Sequence, residues 1–129
     1  MRNGVVASLA YGAVLLGAPL TAAYAQWTPG SELVGQSVQV ETNGIVNTIY
    51  FDPGGVARIL SPGGMVVNGT WTAANQQLCL QTGTGQECWP YQSAFQAGQQ
   101  VTMTSSCQVA SRWTPLTTNP VQSRAGERG

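Results

Sequence analysis

Gly69-Thr70-Trp71-Thr72, Leu78-Cys79-Leu80, Thr82-Gly83-Thr84-Gly85 and Cys88-Trp89-Pro90-Tyr91 follow one another within residues 69–91. Apolar residues at Trp71, Leu78, Leu80 and Trp89 alternate with polar or small neighbours, the pattern of strands buried on one face only. The segments between them are short and polar, so the stretch predicts three consecutive antiparallel strands. It holds two of the three cysteines and two of the four tryptophans, and its residues describe a packed sheet rather than a reaction centre.

Working outward, short runs rich in Val, Ile, Thr and aromatics continue in both directions, broken by glycine turns. Each turn type fixes a register, and every register must place apolar residues on one common face. A two-residue Asn43-Gly44 turn sets Val38 opposite Ile49 and Val40 opposite Asn47. Pro53-Gly54-Gly55 sets Phe51 opposite Ala57 and Ile49 opposite Ile59. Its repeat, Pro62-Gly63-Gly64, sets Ile59 opposite Val67 and Ala57 opposite Gly69. A four-residue turn through Ala73 to Gln76 would set Trp71 opposite Leu78, with Leu80 beside Gly69. The turn from Thr82 to Gly85 sets Leu78 opposite Trp89 and Cys79 opposite Cys88.

One face then collects Val38, Ile49, Phe51, Ile59, Met65, Val67, Trp71, Leu78, Leu80 and Trp89, while Gln39, Glu41, Tyr50, Arg58, Asn68 and Thr70 point the other way. No segment after the first 25 residues sustains a 3.6-residue period, apart from a turn around Pro29 to Leu33, so no helix remains to cover that face. The expected fold is all-β: an antiparallel meander of about seven short strands curling into a small barrel or sandwich. The last strand is read over Gln100 to Cys107. Trp113-Thr114-Pro115 echoes Trp27-Thr28-Pro29, and both are read as plugs over the barrel ends. From Thr117 the composition turns to Asn, Pro, Ser, Arg and Gly, giving an all-β domain over 26–116 and a disordered tail over 117–129.

The first 25 residues carry a cationic start at Arg2, an apolar run from Val5 to Leu20 and Ala23-Tyr24-Ala25, the pattern of a secretory signal peptide cleaved after Ala25. That places the mature chain in the periplasm or outside the cell, with no membrane span of its own. Charge is scarce: the sequence has five Arg, five acidic residues, no Lys and no His. A near-neutral chain gives no electrostatic footprint for nucleic acid.

The absence of His removes the common Ser and Cys hydrolase designs and most zinc sites, and the absence of Lys removes Schiff-base chemistry. The remaining carboxylates read as solvated, with Glu41 on the outer face and Asp52 beside a turn. No enzyme, metal site or cofactor is expected. In an exported protein a disulfide is the natural use of two of the three cysteines. Cys79 and Cys88, directly opposed across a hairpin on the face away from Leu78 and Trp89, are the expected pair. Burying Val101 and Met103 sets Val101 opposite Phe95 and turns Cys107 to the other side of the sheet, leaving it a buried free thiol, or a reactive one if the last strand is frayed. Trp71, Trp89, Tyr91 and Phe95 are core residues that could also line a ligand pocket at a barrel mouth. Arg58 and Arg112 are surface arginines that could meet a partner's carboxylates.

A Gly-x-Trp strand, a Leu-Cys strand, a Cys-containing hairpin and a late Cys before Ser-x-Trp, spread over Leu33 to Trp113, resemble small exported bacterial β-domains of uncharacterised function. The resemblance implies the fold and the export and carries no catalytic residue across. The expected function is that of a non-catalytic binding module, holding a small apolar ligand or contacting, as an inhibitor does, another protein. The alternative is a structural or interaction protein of the cell envelope without a soluble ligand.

Overall fold

In the computed structural model, which describes residues 27–121, eight strands follow in chain order: β1 (Gln36–Thr42), β2 (Ile45–Asp52), β3 (Val56–Leu60), β4 (Val66–Ala74), β5 (Gln77–Thr82), β6 (Gly85–Pro90), β7 (Val101–Thr104) and β8 (Ala110–Pro115). The expected signal segment with its cleavage after Ala25, and residues 122–129 of the expected tail, lie outside the described residues. All neighbouring strands are antiparallel, in the order β6-β5-β4-β3-β2-β1-β8-β7. The sheet curls into a nearly closed barrel. The β6 and β7 edges meet through Ser106, just past β7, whose N–H donates to the Cys88 carbonyl at 2.8 Å and whose Oγ accepts from the Cys88 N–H at 3.0 Å.

Four of the five turn-derived registers hold: Val38 faces Ile49, Ile49 faces Ile59, Ile59 faces Val67 and Leu78 faces Trp89. The fifth differs by two residues, pairing Trp71 with Leu80 and Ala73 with Leu78. The connection is a two-residue turn in which Asn75 and Gln76 adopt φ of 54° and 63°. Such a primed turn follows the twist of the flanking strands more closely than a four-residue loop. Because the shift is even, every side chain keeps its face.

Gly69 is fixed by backbone proximity. A Cβ there would lie 2.3 Å from the Gln81 carbonyl oxygen. It stands where β4 passes from pairing with β3 through Val66–Thr70 to pairing with β5 through Thr70–Ala74. A barrel strand turning this tightly brings two backbones together, and only a residue without a side chain fits.

The C-terminal third departs from the sequence reading. β7 pairs with β8, setting Val101 opposite Trp113, so Val101 does not face Phe95. Trp113-Thr114-Pro115 is the second half of β8, which also pairs with β1 through Val40 and Trp113. Val101, Met103, Ser111 and Trp113 keep the alternation of a strand pair, whereas residues 91–100 carry no such alternation and form a connecting loop. The seventh strand ends at Thr104, and Cys107 lies on the exposed turn beyond it.

Trp113, Phe51, Leu33, Leu78 and Val38 fill the interior and are fully buried. Trp113 joins a chain of aromatic contacts: Trp89 meets Trp113 edge-on at 4.9 Å, Trp113 stacks on Phe95 at 5.7 Å and Phe95 on Tyr91 at 5.5 Å. Order continues past the composition change at Thr117. Thr117 Oγ1 donates to Gln36 Oε1, and Asn119 Nδ2 donates to the Val34 carbonyl at 2.8 Å. That correction has a simple cause, since the segment Asn119 binds has carbonyls with no ladder partner and they need donors.

Candidate functional site

The barrel's two ends are built differently. At one end, residues 27–35 wind through consecutive turns, and their Leu33 enters the core. Gly30 lies against Trp71, whose ring carbon Cζ3 would be 3.0 Å from a Cβ at that position. Trp71 in turn donates its indole N–H to the Asp52 carbonyl at 2.9 Å.

Glu32 holds this end shut. It lies on a turn but is fully buried, contrary to the expectation that the carboxylates are solvated. Its Oε2 accepts from the Tyr91 hydroxyl at 2.6 Å and the Phe95 N–H at 2.9 Å, and its Oε1 accepts from the Trp27 indole N–H at 3.0 Å. All three partners are donors, the complement a carboxylate requires when it leaves water. Gly30 N–H donates to the Tyr91 oxygen at 2.9 Å, which commits the hydroxyl hydrogen to Glu32. Burial, with the hydrogen bond to Glu32 and its charge, pushes the Tyr91 phenol well above its usual value, and the Gly30 contact opposes this. The sequence reading missed Glu32 because its partners Tyr91 and Phe95 stand 59 and 63 positions away.

At the opposite end, beyond the turns at Asn43-Gly44 and Gly83-Thr84, the barrel opens. A cavity of about 320 Å³ there is lined by Ile59, Val67, Leu80 and Trp89 on the strands and by Cys107 from the turn after β7. These strand residues share the inward-facing set with Phe51 and Trp71. Val67 is nevertheless 42% exposed and Met65, at the rim, 68%, so two residues assigned to the core by alternation are open to solvent. Alternation fixes the direction of a side chain, and depth along the barrel decides whether anything covers it.

Three polar features lie at or beneath the mouth. Glu87 points inward and accepts from the buried Ser105 hydroxyl at 2.5 Å, and Ser105 Oγ also accepts the Cys107 N–H at 3.1 Å. Trp89 is only 6% exposed, and its indole N–H has no hydrogen-bond partner among the described residues. Asn47 Oδ1, inward-facing on β2 one step nearer the mouth than the Ile49–Ile59 pair, is likewise buried and unpartnered.

The four aromatics proposed for a pocket thus separate. Trp89 lines the mouth and Trp71 belongs to the sealed end. Tyr91 and Phe95 back a lateral cleft of about 400 Å³ between the loop after β6 and β7. No buried side-chain polar atom lining that cleft lacks a partner.

Both arginines lie on the outer face. Arg58 makes two hydrogen bonds to Asp52, at 2.6 and 3.0 Å, and stands 4.5 Å from the Tyr50 ring centre. The hydrogen bond from Arg58 holds the Asp52 carboxyl below the usual carboxylate range, and the same bond raises the guanidinium. Arg112 donates to Glu41 at 2.8 Å. Each has an acidic partner within the chain.

Cys79 and Cys88 form a disulfide across the β5–β6 hairpin, as their register requires. Cys107 is free and exposed, which corrects the buried thiol expected from a strand running to residue 107. Among the described residues no helix is long and apolar enough to cross a membrane. Fold and site together define a small eight-stranded antiparallel barrel, latched shut at one end and open at the other. No protein-family model, curated protein or solved structure matches the chain.

Proposed function

We propose that the protein is an exported, non-catalytic binding module that takes a small apolar ligand in the open end of its barrel. The observation that carries this reading is the mouth itself: a cavity of about 320 Å³ walled on the strands by Ile59, Val67, Leu80 and Trp89. A concave surface walled by apolar side chains with a few polar groups at its rim is where a small ligand is to be looked for. Export is supported by the signal-type sequence ahead of the domain and by the disulfide. The lack of His and Lys, and the engagement of Glu32 by three donors, favour binding over turnover.

The alternative, contact with another protein of the envelope, draws support from the exposed apolar side chains of Ile45, Met65 and Val66 near the same end. The test is titration of the mature domain with N-phenylnaphthylamine, a neutral fluorescent probe, against a Val67→Trp variant that fills the mouth from an exposed position. Binding of the probe, weakened about tenfold or more in the variant, is expected. No binding, or binding indifferent to the variant, favours the protein-contact reading.

A further inference from the structure

β6 and β7 form the two ends of the sheet order and share no ladder, and the lateral cleft of about 400 Å³ lies beside that seam. The Ser105 N–H donates to the Val109 carbonyl at 2.9 Å, and these residues stand directly opposite when the β7–β8 register is continued past Thr104. Opposed residues of an antiparallel pair alternate between exchanging backbone hydrogen bonds and turning those groups away. Met103 and Val101 therefore bond to β8, while Thr102 and Thr104 turn their N–H and C=O groups away from it, toward the cleft. The far side of β8 agrees. The Leu116 N–H donates to the Ser37 carbonyl at 3.0 Å, which by the same alternation commits Thr114 and Arg112 to β1 and leaves Trp113 and Ser111 for β7. No hydrogen bond among the described residues engages the backbone of Thr102 or Thr104 from the cleft side, and both residues are exposed.

The opposite wall cannot complete this ladder. Ser106 already engages the N–H and the carbonyl of Cys88, and Pro90, which lines the cleft, has no N–H to offer. An open edge of uncharged residues is a template for another strand. No charged side chain lines the cleft, and a residue added opposite Val101 or Met103 would share their inward face, with Ala94 and Phe95 across from it. The chain's own tail does not match that surface, since residues 122–129 carry Arg124, Glu127 and Arg128 and a single apolar side chain, Ala125. A second copy would have to bring a strand of its own barrel wall past the loop that bounds the cleft. We propose that the cleft binds one extended, uncharged peptide segment of a partner protein, which adds a strand to the β7 edge through Thr102 and Thr104. This site is separate from the mouth and does not depend on it.

The probe is a capped hexapeptide of alternating threonine and valine, titrated into the isotope-labelled mature protein while amide exchange with water is read by NMR. Saturation with the peptide should slow the Thr102 and Thr104 amides about tenfold or more, and leave the Val101 and Met103 amides, already bonded to β8, unchanged. Two further peptides, N-methylated on the threonines or on the valines, each have one edge blocked, and only one of them should retain binding. Thr102→Pro removes a donor from the open edge without touching the β7–β8 ladder, and should weaken binding about tenfold. If that variant does not fold, the methylated peptides decide with the wild-type chain. Failure of the unmethylated peptide to bind, unchanged exchange at Thr102 and Thr104, or equal binding of both methylated peptides overturns the proposal. So does slowing of these two amides by protein concentration alone, which would give the edge to a second copy.

Discussion

Tyr91 donates its hydroxyl hydrogen to the buried carboxylate of Glu32 across 2.6 Å, joining the exit of β6 to the segment that covers the barrel end. The contact makes a buried acid part of the closure. Removing the acid leaves the donors of Tyr91, Phe95 and Trp27 facing an apolar gap, so Glu32→Ala should cost about 3–5 kcal/mol. Glu32→Gln retains one acceptor oxygen but opposes an amide donor to one of those N–H or O–H groups, and should cost about 1–3 kcal/mol. Urea unfolding measures both. Equal stability of wild type and Glu32→Ala would contradict the latch.

The same pair predicts behaviour at high pH. An unfolded tyrosine ionises near pH ~10, whereas folded Tyr91 is held protonated to higher pH. Between those values the native state binds one more proton than the unfolded state, so stability is intact below pH ~10 and falls as pH rises above it. Tyr91→Phe should be less stable at neutral pH and lose less on going alkaline. Chemical denaturation at a series of alkaline pH values, wild type against variant, gives the slopes, and identical slopes would refute the assignment.

Gly69→Ala forces a Cβ toward the Gln81 carbonyl oxygen, where a separation of 2.3 Å has to be relieved by backbone movement. The expected cost is about 2–3 kcal/mol, an overpacking effect without any loss of contacts. Gly83→Ala, with open space around its added methyl, serves as the control and should be near neutral. Comparable losses in the two variants would argue against a close approach at Gly69.

Native protein should present one reactive thiol, Cys107, and three after reduction and unfolding. Breaking the Cys79–Cys88 bond should lower stability by about 2–3 kcal/mol, because the loop it closes is short. Mass-resolved alkylation before and after reduction reads the thiols, and modification of Cys79 or Cys88 in the unreduced native state would contradict the pairing.

The sequence by itself determined which side chains face inward and which strands are neighbours across the hairpins. A strand's period of two and a tight turn's fixed register are local properties, so Val38–Ile49, Phe51–Ala57 and the Cys79–Cys88 pair were legible from residues close in the chain. Even where the Asn75-Gln76 turn was read two residues too long, the period preserved the faces. Only the tertiary structure decided what closes the barrel and how deep each inward residue lies. β8 pairs with β1 across a long stretch of chain, and that pairing turned Trp113 from an expected plug into the centre of the core. Glu32 is buried because distant donors converge on it, while Val67 is exposed because no segment among the described residues crosses the open end. Convergence and coverage depend on three-dimensional position, and no local rule of alternation or turn length contains that information.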